Sequence, residues 1–297
     1  MKVKEDRHNR LAKDYQYCEE IIKQHSKSFY TAFSRLPKEK ATAVFAIYAF
    51  CRLADDCVDK GGTKKDKMEA LDLLETELQT FENGHYIDQP LWRALRDVFN
   101  RYEMNIQPFY DQLTGQRMDV KFVIPETLEH VEEYSYYVAG SVGRILLPIL
   151  ASETNHDLTQ VGIDLGVAMQ ITNILRDIGE DYRYNDRIYL PLSEMAAESY
   201  TEIDLLNQTI NPAFIRIWEK MALRAEDLYE SFEEHVSCFD KDSQLAVLLS
   251  SRIYRGILNA VRQNKYNCFS KRNYVSAMEI QRIYRTTKVQ NLTDSKK

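Results

Sequence analysis

Glycine and proline are scarce in this chain. Of its 297 residues, 10 are Gly and 7 are Pro, so the residues that most often break helices are few. Ala, Leu, Glu, Lys, Gln and Arg, which favour helices, are abundant, and no series of short alternating strands with paired turns appears. The sequence therefore predicts an all-α protein and argues against a β-sandwich or a β-barrel.

A long linker rich in Pro, Ser or Gly is also missing. We therefore predict one domain over residues 1–297, with a polar lead-in at about 1–14 and a polar tail at about 288–297. Segment 182–192 is expected to be a loop, either a mobile lid or an ordinary connection between helices. The last long helix is expected at about 271–286.

An excess of basic residues is missing as well. The formal net charge is −6, which argues against a protein that binds nucleic acid by neutralising its backbone. The 5 cysteines are odd in number and have no CxxC spacing, so neither a disulfide framework nor a zinc site is indicated. This cysteine usage fits the reducing cytoplasm, where we expect the protein to be located.

No apolar run is long enough to span a bilayer. The longest one, near residues 145–151, is short and contains Pro148. The N-terminal segment is too polar for a secretory signal. We therefore expect that any contact with a membrane is peripheral.

Two acidic clusters share one helical geometry. Each follows an apolar segment, so its charges need partners. Two carboxylate stripes that faced each other inside a bundle would repel unless cations lay between them. Mg²⁺ prefers such oxygen ligands and completes its shell with water and substrate phosphate, so the pattern predicts a metal-dependent enzyme that acts on diphosphates. The two stripes are Tyr48, Arg52, Asp55 and Asp59 in YAFCRLADDCVD, and Gln170, Asn173, Asp177 and Asp181 in QITNILRDIGED.

Each stripe also has a purely structural interpretation. A single pair of aspartates four residues apart is common on solvated helix faces, and only the occurrence of two such clusters favours a metal site. Arg52 and Arg176 either form salt bridges to neighbouring aspartates or hold a phosphate. Gln170 and Asn173 either satisfy each other or offer an amide oxygen to a cation.

Two further segments are rich in small or polar residues. In YVAGSVG, Ala139 and Gly143 let either another helix or a bulky ligand approach closely. The side chains of HSKS lie at a predicted helix start, where they either cap the helix or bind an anion. These four residues are His25, Ser26, Lys27 and Ser28.

In order and spacing, HSKSF, YAFCRLADDCVD, YVAGSVG and QITNILRDIGEDYRYNDRIYLP resemble the squalene/phytoene synthase family over about residues 17–265. The resemblance implies an all-α isoprenoid-synthase domain whose helices surround a deep central cavity. It also implies that two prenyl diphosphates are joined head to head through a cyclopropylcarbinyl diphosphate. In length and in its HSKSF start, the chain is most similar to bacterial members that form dehydrosqualene (4,4'-diapophytoene) in carotenoid biosynthesis.

The resemblance implies a role for individual residues. The four aspartates of the stripes and Tyr134 would be catalytic, with Tyr134 near the leaving diphosphate. Two or three Mg²⁺ ions would be bound by Asp55, Asp59, Asn173, Asp177 and Asp181. Substrate would be contacted by His25, Ser26, Lys27, Ser28, Tyr48, Arg52, Val138, Ala139, Gly143, Gln170, Arg176 and Tyr254.

The length of the substrate depends on the floor of the pocket. Phe29, Phe33 and Phe45 are expected to close it, which favours two molecules of the C15 substrate farnesyl diphosphate. A phytoene synthase that uses C20 geranylgeranyl diphosphate and a squalene synthase that uses NADPH are the alternatives within the family, and no NADPH is expected here. Asp111 and Asp119 fit the family pattern more loosely, and their roles stay open.

Two alternatives belong to other functional classes. An inactive relative that serves as a scaffold would be expected to have lost one or more aspartates, whereas this chain keeps all four. A Mg²⁺-dependent nucleotide pyrophosphatase would need polar recognition of a base rather than a deep aromatic cavity. The sequence does not predict an oligomeric state.

Overall fold

The structure is a computed structural model that describes the backbone of residues 2–294 and the side chains of residues 9–289. This part of the chain consists of helices and their connections, without a strand, which confirms the predicted all-α fold. The helices of the first half are α1 (Lys2–His25), α2 (Lys27–Phe33), α3 (Lys38–Asp59), α4 (Lys64–Glu82), α5 (Pro90–Arg101), α6 (Gln107–Val120), α7 (Leu128–Ser135), a π-helix (Tyr136–Gly140) and α8 (Ser141–Leu150). Those of the second half are α9 (Thr159–Asn185), α10 (Leu192–Ala197), α11 (Glu202–Leu206), α12 (Pro212–Glu234), a 3₁₀ turn (Val236–Cys238), α13 (Lys241–Gln263) and α14 (Ala277–Asp294).

Helix α3 is buried over most of its length because residues 41–51, after a charged first turn, are almost wholly apolar. It begins after Pro37, and Ala43, Ile47 and Phe50 are fully buried within it. Helices α1, α5, α6 and α8 pack around it. Beyond its first turn, acidic residues occur only in its last turns, which carry Asp55 and Asp59, so the acidic cluster is held by a buried helix.

Helix α9 has one apolar and one polar face. Ile171, Ile174 and Leu175 are buried, and α12 packs along the same helix. The indole of Trp218 on α12 donates a hydrogen bond to the carbonyl oxygen of Leu175 (3.1 Å). Because α12 covers the apolar face of α9, the polar stripe of α9 faces the interior space that α3 and α8 also line.

The backbones of α8 and α9 touch where both helices carry small residues. A Cβ atom on Gly143 would lie 2.0 Å from the carbonyl oxygen of Gly162, and one on Gly166 would lie 2.3 Å from the carbonyl oxygen of Ala139. Real Cβ atoms cannot approach backbone oxygen so closely. The small residues of YVAGSVG therefore serve tight helix packing, which was one of their two interpretations.

A buried ion pair fixes the end of α3 that lies opposite the aspartates. The Lys40 ammonium contacts Asp240, just before α13, with an Nζ–Oδ2 distance of 2.7 Å, and the side chains are 11% and 2% exposed. Asp240 also accepts hydrogen bonds from the backbone N–H groups of Ser152 (2.8 Å) and Glu153 (2.9 Å), which follow α8. This network holds three elements together at that end of the interior.

The N-terminal boundary differs from the prediction. The segment expected to be a polar lead-in, residues 1–14, is helical from Lys2 onward, and Met1 lies outside the described residues. Charged residues such as Lys, Glu and Arg are good helix formers, and Asp14 is buried where Arg93 of α5 donates to it from Nε (2.9 Å). The polar tail predicted at 288–297 continues α14 up to Asp294, and residues 295–297 lie outside the described part.

Two boundaries in the second half also differ. Helix α9 continues to Asn185, so the irregular part of the predicted 182–192 loop is limited to residues 186–191. Residues 271–276 are not helical, because Asn273 turns inward and donates hydrogen bonds to the carbonyl oxygens of Asn267 (2.9 Å) and Lys271 (3.2 Å). Within the described residues, we find no helix with the length and apolar character needed to cross a bilayer.

Replacing Gly143 by Ala is expected to destabilise the protein by about 3 kcal/mol or more, since the new methyl group would overlap backbone rather than a movable side chain. Chemical denaturation measures the effect. Gly61→Ala is the matched control, because a Cβ there meets no atom within 4 Å. Equal stability of the two variants would contradict the backbone contact between α8 and α9.

Candidate active site

Both aspartate pairs line one cavity. Asp55 and Asp59 come from the last turns of α3, and Asp177 and Asp181 come from the last turns of α9. Residues four apart lie on the same side of a helix, so each helix directs two carboxylates into the same space. The structure thus brings together residues that are far apart in the sequence.

The cavity has a volume of about 500 Å³ and changes in character along its length. From Asp55 back to Val44, the lining residues of α3 span about 16 Å at the rise of an α-helix. The aspartates lie at one end, which we call the mouth. The far end, which we call the apolar end, is lined by Val44, Leu146, Leu147, Leu150, Phe239 and Val247.

The acidic end is electrostatically strained in the absence of cations. Burial, followed by repulsion from Asp59, raises the pKa of Asp55 to about 7. Burial, followed by repulsion from Asp177, raises the pKa of Asp181 to about 7. Both carboxyl groups therefore resist ionisation, and a bound divalent cation would remove that resistance.

The donor set at this end fits Mg²⁺. Carboxylate and amide oxygens are its preferred ligands, and it usually takes only one or two carboxylates together with water and substrate phosphates. Asn173, one turn before Asp177, lines the cavity and donates an amide hydrogen bond to Gln170 (3.3 Å). No three acidic, His or Cys side chains converge closely enough among the described residues to hold an ion by themselves, so the fit requires oxygens from a substrate.

Arginines accompany the aspartates. Arg176 donates from Nε to Asp177 (2.8 Å), and Arg272, in the segment between α13 and α14, lies 3.3 Å from the same carboxylate. Both arginines line the cavity. Arg52 forms ion pairs with Asp56 and, at 3.7 Å, with Asp59, but it does not line the cavity. In this structure Arg52 and Arg176 therefore form salt bridges with neighbouring aspartates, which was one of their two interpretations.

An aromatic wall adjoins the acidic end. The ring of Phe29 lies 5.5 Å from that of Tyr254, 5.4 Å from that of Phe33 and 6.2 Å from that of Tyr48. All four rings line the cavity. They come from α2, α3 and α13, so three elements combine to place aromatic faces beside the space where a substrate chain would lie.

Residues of the π-helix and of α8 form another part of the cavity wall. Val138, Ala139 and Gly143 line the cavity, as the resemblance implies. The first two belong to the π-helix, a rare geometry that often marks functional sites. Its wider turn occurs where the chain contacts α9, next to Gly166.

A polar cluster surrounds Asp119 and joins the predicted Tyr134 to two residues that were not predicted, Tyr189 and Arg187. The hydroxyl groups of Tyr134 and Tyr189 donate to Asp119 Oδ1 (3.0 and 3.1 Å), and Arg187 lies 3.3 Å from the same oxygen. Burial, more than the neighbouring carboxylate, raises the pKa of Tyr134 well above its usual value, so this phenol stays protonated. Residues of the 186–191 loop therefore contribute directly to the cavity.

Two glutamines of α6 were also missed. Gln116 donates to Asp55 (2.7 Å), and Gln112, one turn deeper, is buried with an Oε1 atom that has no hydrogen-bond partner among the described residues. Both line the cavity with Asp119. Gln112, Gln116 and Asp119 are spaced at positions i, i+4 and i+7, so they lie on one face of α6. This spacing is the sequence pattern that could have predicted them. Asp111 lies outside the cavity lining, where it accepts from Tyr136 (2.6 Å).

Several predicted residues do not line the cavity. Phe45 packs against Tyr30 with ring centroids 5.7 Å apart, so its expected place in the pocket floor is wrong. The cause is its position on α3, since Val44 and Tyr48, not Phe45, face inward. Ser26 caps α2 by accepting from the backbone N–H of Phe29 (3.4 Å). The four residues of the HSKS segment also lie outside the cavity lining: His25, Ser26, Lys27 and Ser28. Their contact with substrate stays a prediction.

Comparisons with known proteins agree with this geometry. A squalene/phytoene synthase family model matches residues 22–279. The chain is 36% identical over 285 residues to 4,4'-diapophytoene synthase of Staphylococcus haemolyticus (strain JCSC1435), covering 94% of this chain and 97% of that one. It is 37% identical over 273 residues to phytoene synthase of Arthrospira platensis, covering 88% of each. A crystal structure of a dehydrosqualene synthase in complex with ligand matches with a TM-score of 0.89 and 42% identity, covering 95% of this chain and 98% of that one.

Replacing Asp181 by Asn is expected to stabilise the metal-free protein by about 1 kcal/mol at about pH 8, because the amide removes a disfavoured buried charge. The folded-state pKa of Asp181, about 7, exceeds the ordinary value of 3.8, so wild-type stability falls as the pH rises between these values. The advantage of the variant should therefore shrink at about pH 6, where the wild-type carboxyl group takes up a proton.

Denaturation in the presence of a chelator at both pH values measures this effect. Asp227→Asn, at an exposed position of α12, is the control and should leave stability unchanged at both. A variant no more stable than wild type at the higher pH would contradict the strain inferred for the acidic end.

Proposed function

The chain belongs to the squalene/phytoene synthase family, and we propose that it joins two molecules of farnesyl diphosphate head to head to give dehydrosqualene. Membership makes it an enzyme of the prenyltransferase type. The observation that carries the choice of a C15 substrate is the bulk of two phenylalanines that line the cavity, Phe239 at the apolar end and Phe33 in the aromatic wall.

We propose Asp55, Asp59, Asn173, Asp177 and Asp181 as the ligands of two or three Mg²⁺ ions, shared with the substrate diphosphate. When bound, these ions would neutralise the leaving diphosphate and so stabilise its departure. Arg176 and Arg272 lie at the same end, where their guanidinium groups match phosphate oxygens in shape and charge. They would hold the diphosphate at the mouth while the prenyl chain extends toward the apolar end.

The rest of the cavity suits the carbocations of this reaction. Loss of the first diphosphate gives an allylic cation, which the double bond of the second molecule attacks to form a cyclopropane with loss of a proton. Loss of the second diphosphate, rearrangement and loss of another proton complete the product. Phe29, Tyr48 and Tyr254 can stabilise positive charge with their ring faces, and the apolar lining keeps out water that would otherwise capture the cation.

The cluster around Asp119 would orient groups at the mouth. Tyr134 stays protonated and donates to Asp119, while Arg187 adds a positive charge beside it. We propose that this cluster positions Tyr134 and Arg187 toward the departing diphosphate. Both groups can donate hydrogen bonds to its oxygens.

A phytoene synthase is the second candidate. The similarity to the Arthrospira platensis enzyme, at 37% identity, is as high as that to the 4,4'-diapophytoene synthase. Such an enzyme would act on geranylgeranyl diphosphate and would need room for one more isoprene unit on each chain.

The substrate is tested by incubating the purified enzyme and Mg²⁺ with farnesyl and geranylgeranyl diphosphate in competition, followed by mass analysis of the extracted hydrocarbon. We expect the C30 product dehydrosqualene, formed equally well with and without NADPH. Equal or better use of the C20 substrate would overturn the proposed substrate. Formation of squalene with NADPH would overturn the proposed product.

Shortening Phe33 to Ala should raise the ratio of C20 to C15 use by about 10-fold, because a cavity-lining ring is removed. Phe45→Ala is the matched control, since this buried ring lies one residue from the cavity stripe of α3 and packs elsewhere. If both variants shift the ratio equally, Phe33 does not limit chain length.

Asp55→Ala and Asp177→Ala should each lower turnover at least ~100-fold, the scale expected for loss of a main electrostatic stabiliser. Steady-state kinetics at saturating Mg²⁺, with circular dichroism to verify folding, measures the effect. Asp227→Ala on the surface of α12 should retain wild-type turnover. Near-normal activity of either aspartate variant would contradict the proposal that these residues bind Mg²⁺.

A further inference from the structure

Five segments surround the mouth of the cavity. Three of these segments begin one or two residues after an aspartate that lines the cavity. These aspartates are Asp59 at the end of α3, Asp119 at the end of α6 and Asp181 near the end of α9. The fourth contains Arg272, and the fifth is α11, whose Glu202 interacts with Tyr182 at the end of α9. We call these segments the rim, and they are residues 60–65, 121–125, 182–187, 202–206 and 270–274.

Contacts between the segments show that the rim is continuous on one side of the mouth. The ring of Phe122 lies 5.0 Å from that of Tyr189, and the Arg187 guanidinium lies 5.8 Å from the Phe122 ring. The backbone N–H of Leu192 donates to the carbonyl oxygen of Pro125 (3.0 Å). Leu205 of α11 lines a small void with Ile188 of the same loop.

The rim is basic although the protein is acidic. It contains eight Lys and Arg residues but only three Asp and Glu residues, in a chain of net charge −6. Arg187 and Arg272 face the cavity, and the other six are exposed: Lys60, Lys64, Lys65, Lys121, Arg183 and Lys271. Of the carboxylates next to the rim, Asp59 and Asp181 line the cavity and Asp66 belongs to the capping box of α4. Three others pair with rim residues, namely Asp56 with Lys60 (2.7 Å), Glu69 with Lys65 (3.6 Å) and Glu180 with Arg272 (3.5 Å). The basic excess of the rim therefore rests mainly on its other exposed residues, Lys64, Lys121, Arg183 and Lys271.

The rim also exposes large apolar side chains. Ile203 and Leu206 are three residues apart on α11 and so share one face, and a tyrosine or valine projects from three of the other segments. The exposed fractions are 81% for Val123, 77% for Tyr184, 69% for Ile203, 68% for Tyr274 and 62% for Leu206. Exposed apolar groups interspersed with Lys and Arg are typical of surfaces that bind an anionic bilayer, where aromatic rings lie at the headgroup level.

We propose that the rim docks on the surface of an anionic lipid bilayer, with the mouth of the cavity against the membrane. This inference rests on the proposed function, because the product is a long hydrocarbon that water does not dissolve and that must leave through the mouth. Lysines alone would serve equally well to attract diphosphate substrate. The five exposed apolar side chains favour the bilayer, because they have no use in attracting a small anion.

The test measures binding of the purified, substrate-free protein to phosphatidylcholine vesicles with and without phosphatidylglycerol, by co-sedimentation. We expect at least ~10-fold stronger binding to the anionic vesicles, weakened by salt. The variant Lys64→Gln/Lys65→Gln/Lys121→Gln/Lys271→Gln and the variant Tyr184→Ser/Ile203→Ser/Tyr274→Ser should each lower binding at least ~10-fold. The control Leu73→Ser/Tyr86→Ser/Leu223→Ser removes side chains that are 64%, 69% and 56% exposed away from the rim and should bind like wild type.

Equal binding of the wild type to both kinds of vesicle, or an equal loss in the control variant, would overturn the proposal. Unchanged vesicle binding by the lysine variant, with a lower kcat/KM for farnesyl diphosphate in lipid-free buffer, would assign the lysines to substrate attraction instead. Because binding is measured without substrate, a failure of the proposed reaction would not alter this result. Supporting evidence would be slower multiple turnover, but normal single turnover, in the apolar rim variant with vesicles present.

Discussion

The structure depends on bringing two pairs of carboxylates into one low-dielectric space. Repulsion and burial oppose this arrangement, as the raised pKa values of Asp55 and Asp181 indicate. The fold tolerates it because each pair lies on a long helix that is anchored by extensive apolar burial over its other turns. The stability lost at the acidic end is therefore offset elsewhere in the same helices, which is the usual arrangement where a site stores unfavourable electrostatics for use with a ligand.

The same helices also define the shape of the cavity. Close contact between the backbones at Gly143 and Gly162 brings α8 against α9, and the Lys40–Asp240 ion pair holds α3 and α13 together at the opposite end. The proposed reaction through carbocations would need such rigidity, because a wall that opened would admit water to the reactive centre. The glycines and the buried ion pair thus hold in place the helices between which the proposed chemistry would occur.

Much of the site was predictable because its main signals are periodic. The four-residue spacing of Asp55 and Asp59, and of Asp177 and Asp181, fixes one helix face whatever the tertiary structure. Periodicity does not decide whether a residue at the edge of a helical stripe faces the cavity or a neighbouring helix. For this reason Phe45 was predicted to line the cavity, although it packs on Tyr30. Arg272 could not be predicted, since it lies in a segment without regular structure whose path is set by tertiary hydrogen bonds.

The polarity of the molecule changes in steps from the rim inward. A basic rim with exposed apolar side chains is followed by a belt of aspartates and arginines, and then by a largely apolar end. A prenyl diphosphate has the same sequence of properties, with an anionic head and a hydrocarbon chain. The belt matches the head of such a molecule and the apolar end matches its chain, so the direction in which it would enter follows from charge and hydrophobicity alone. The proposed diphosphate would stop at the belt, because advancing further would leave its charge without partners.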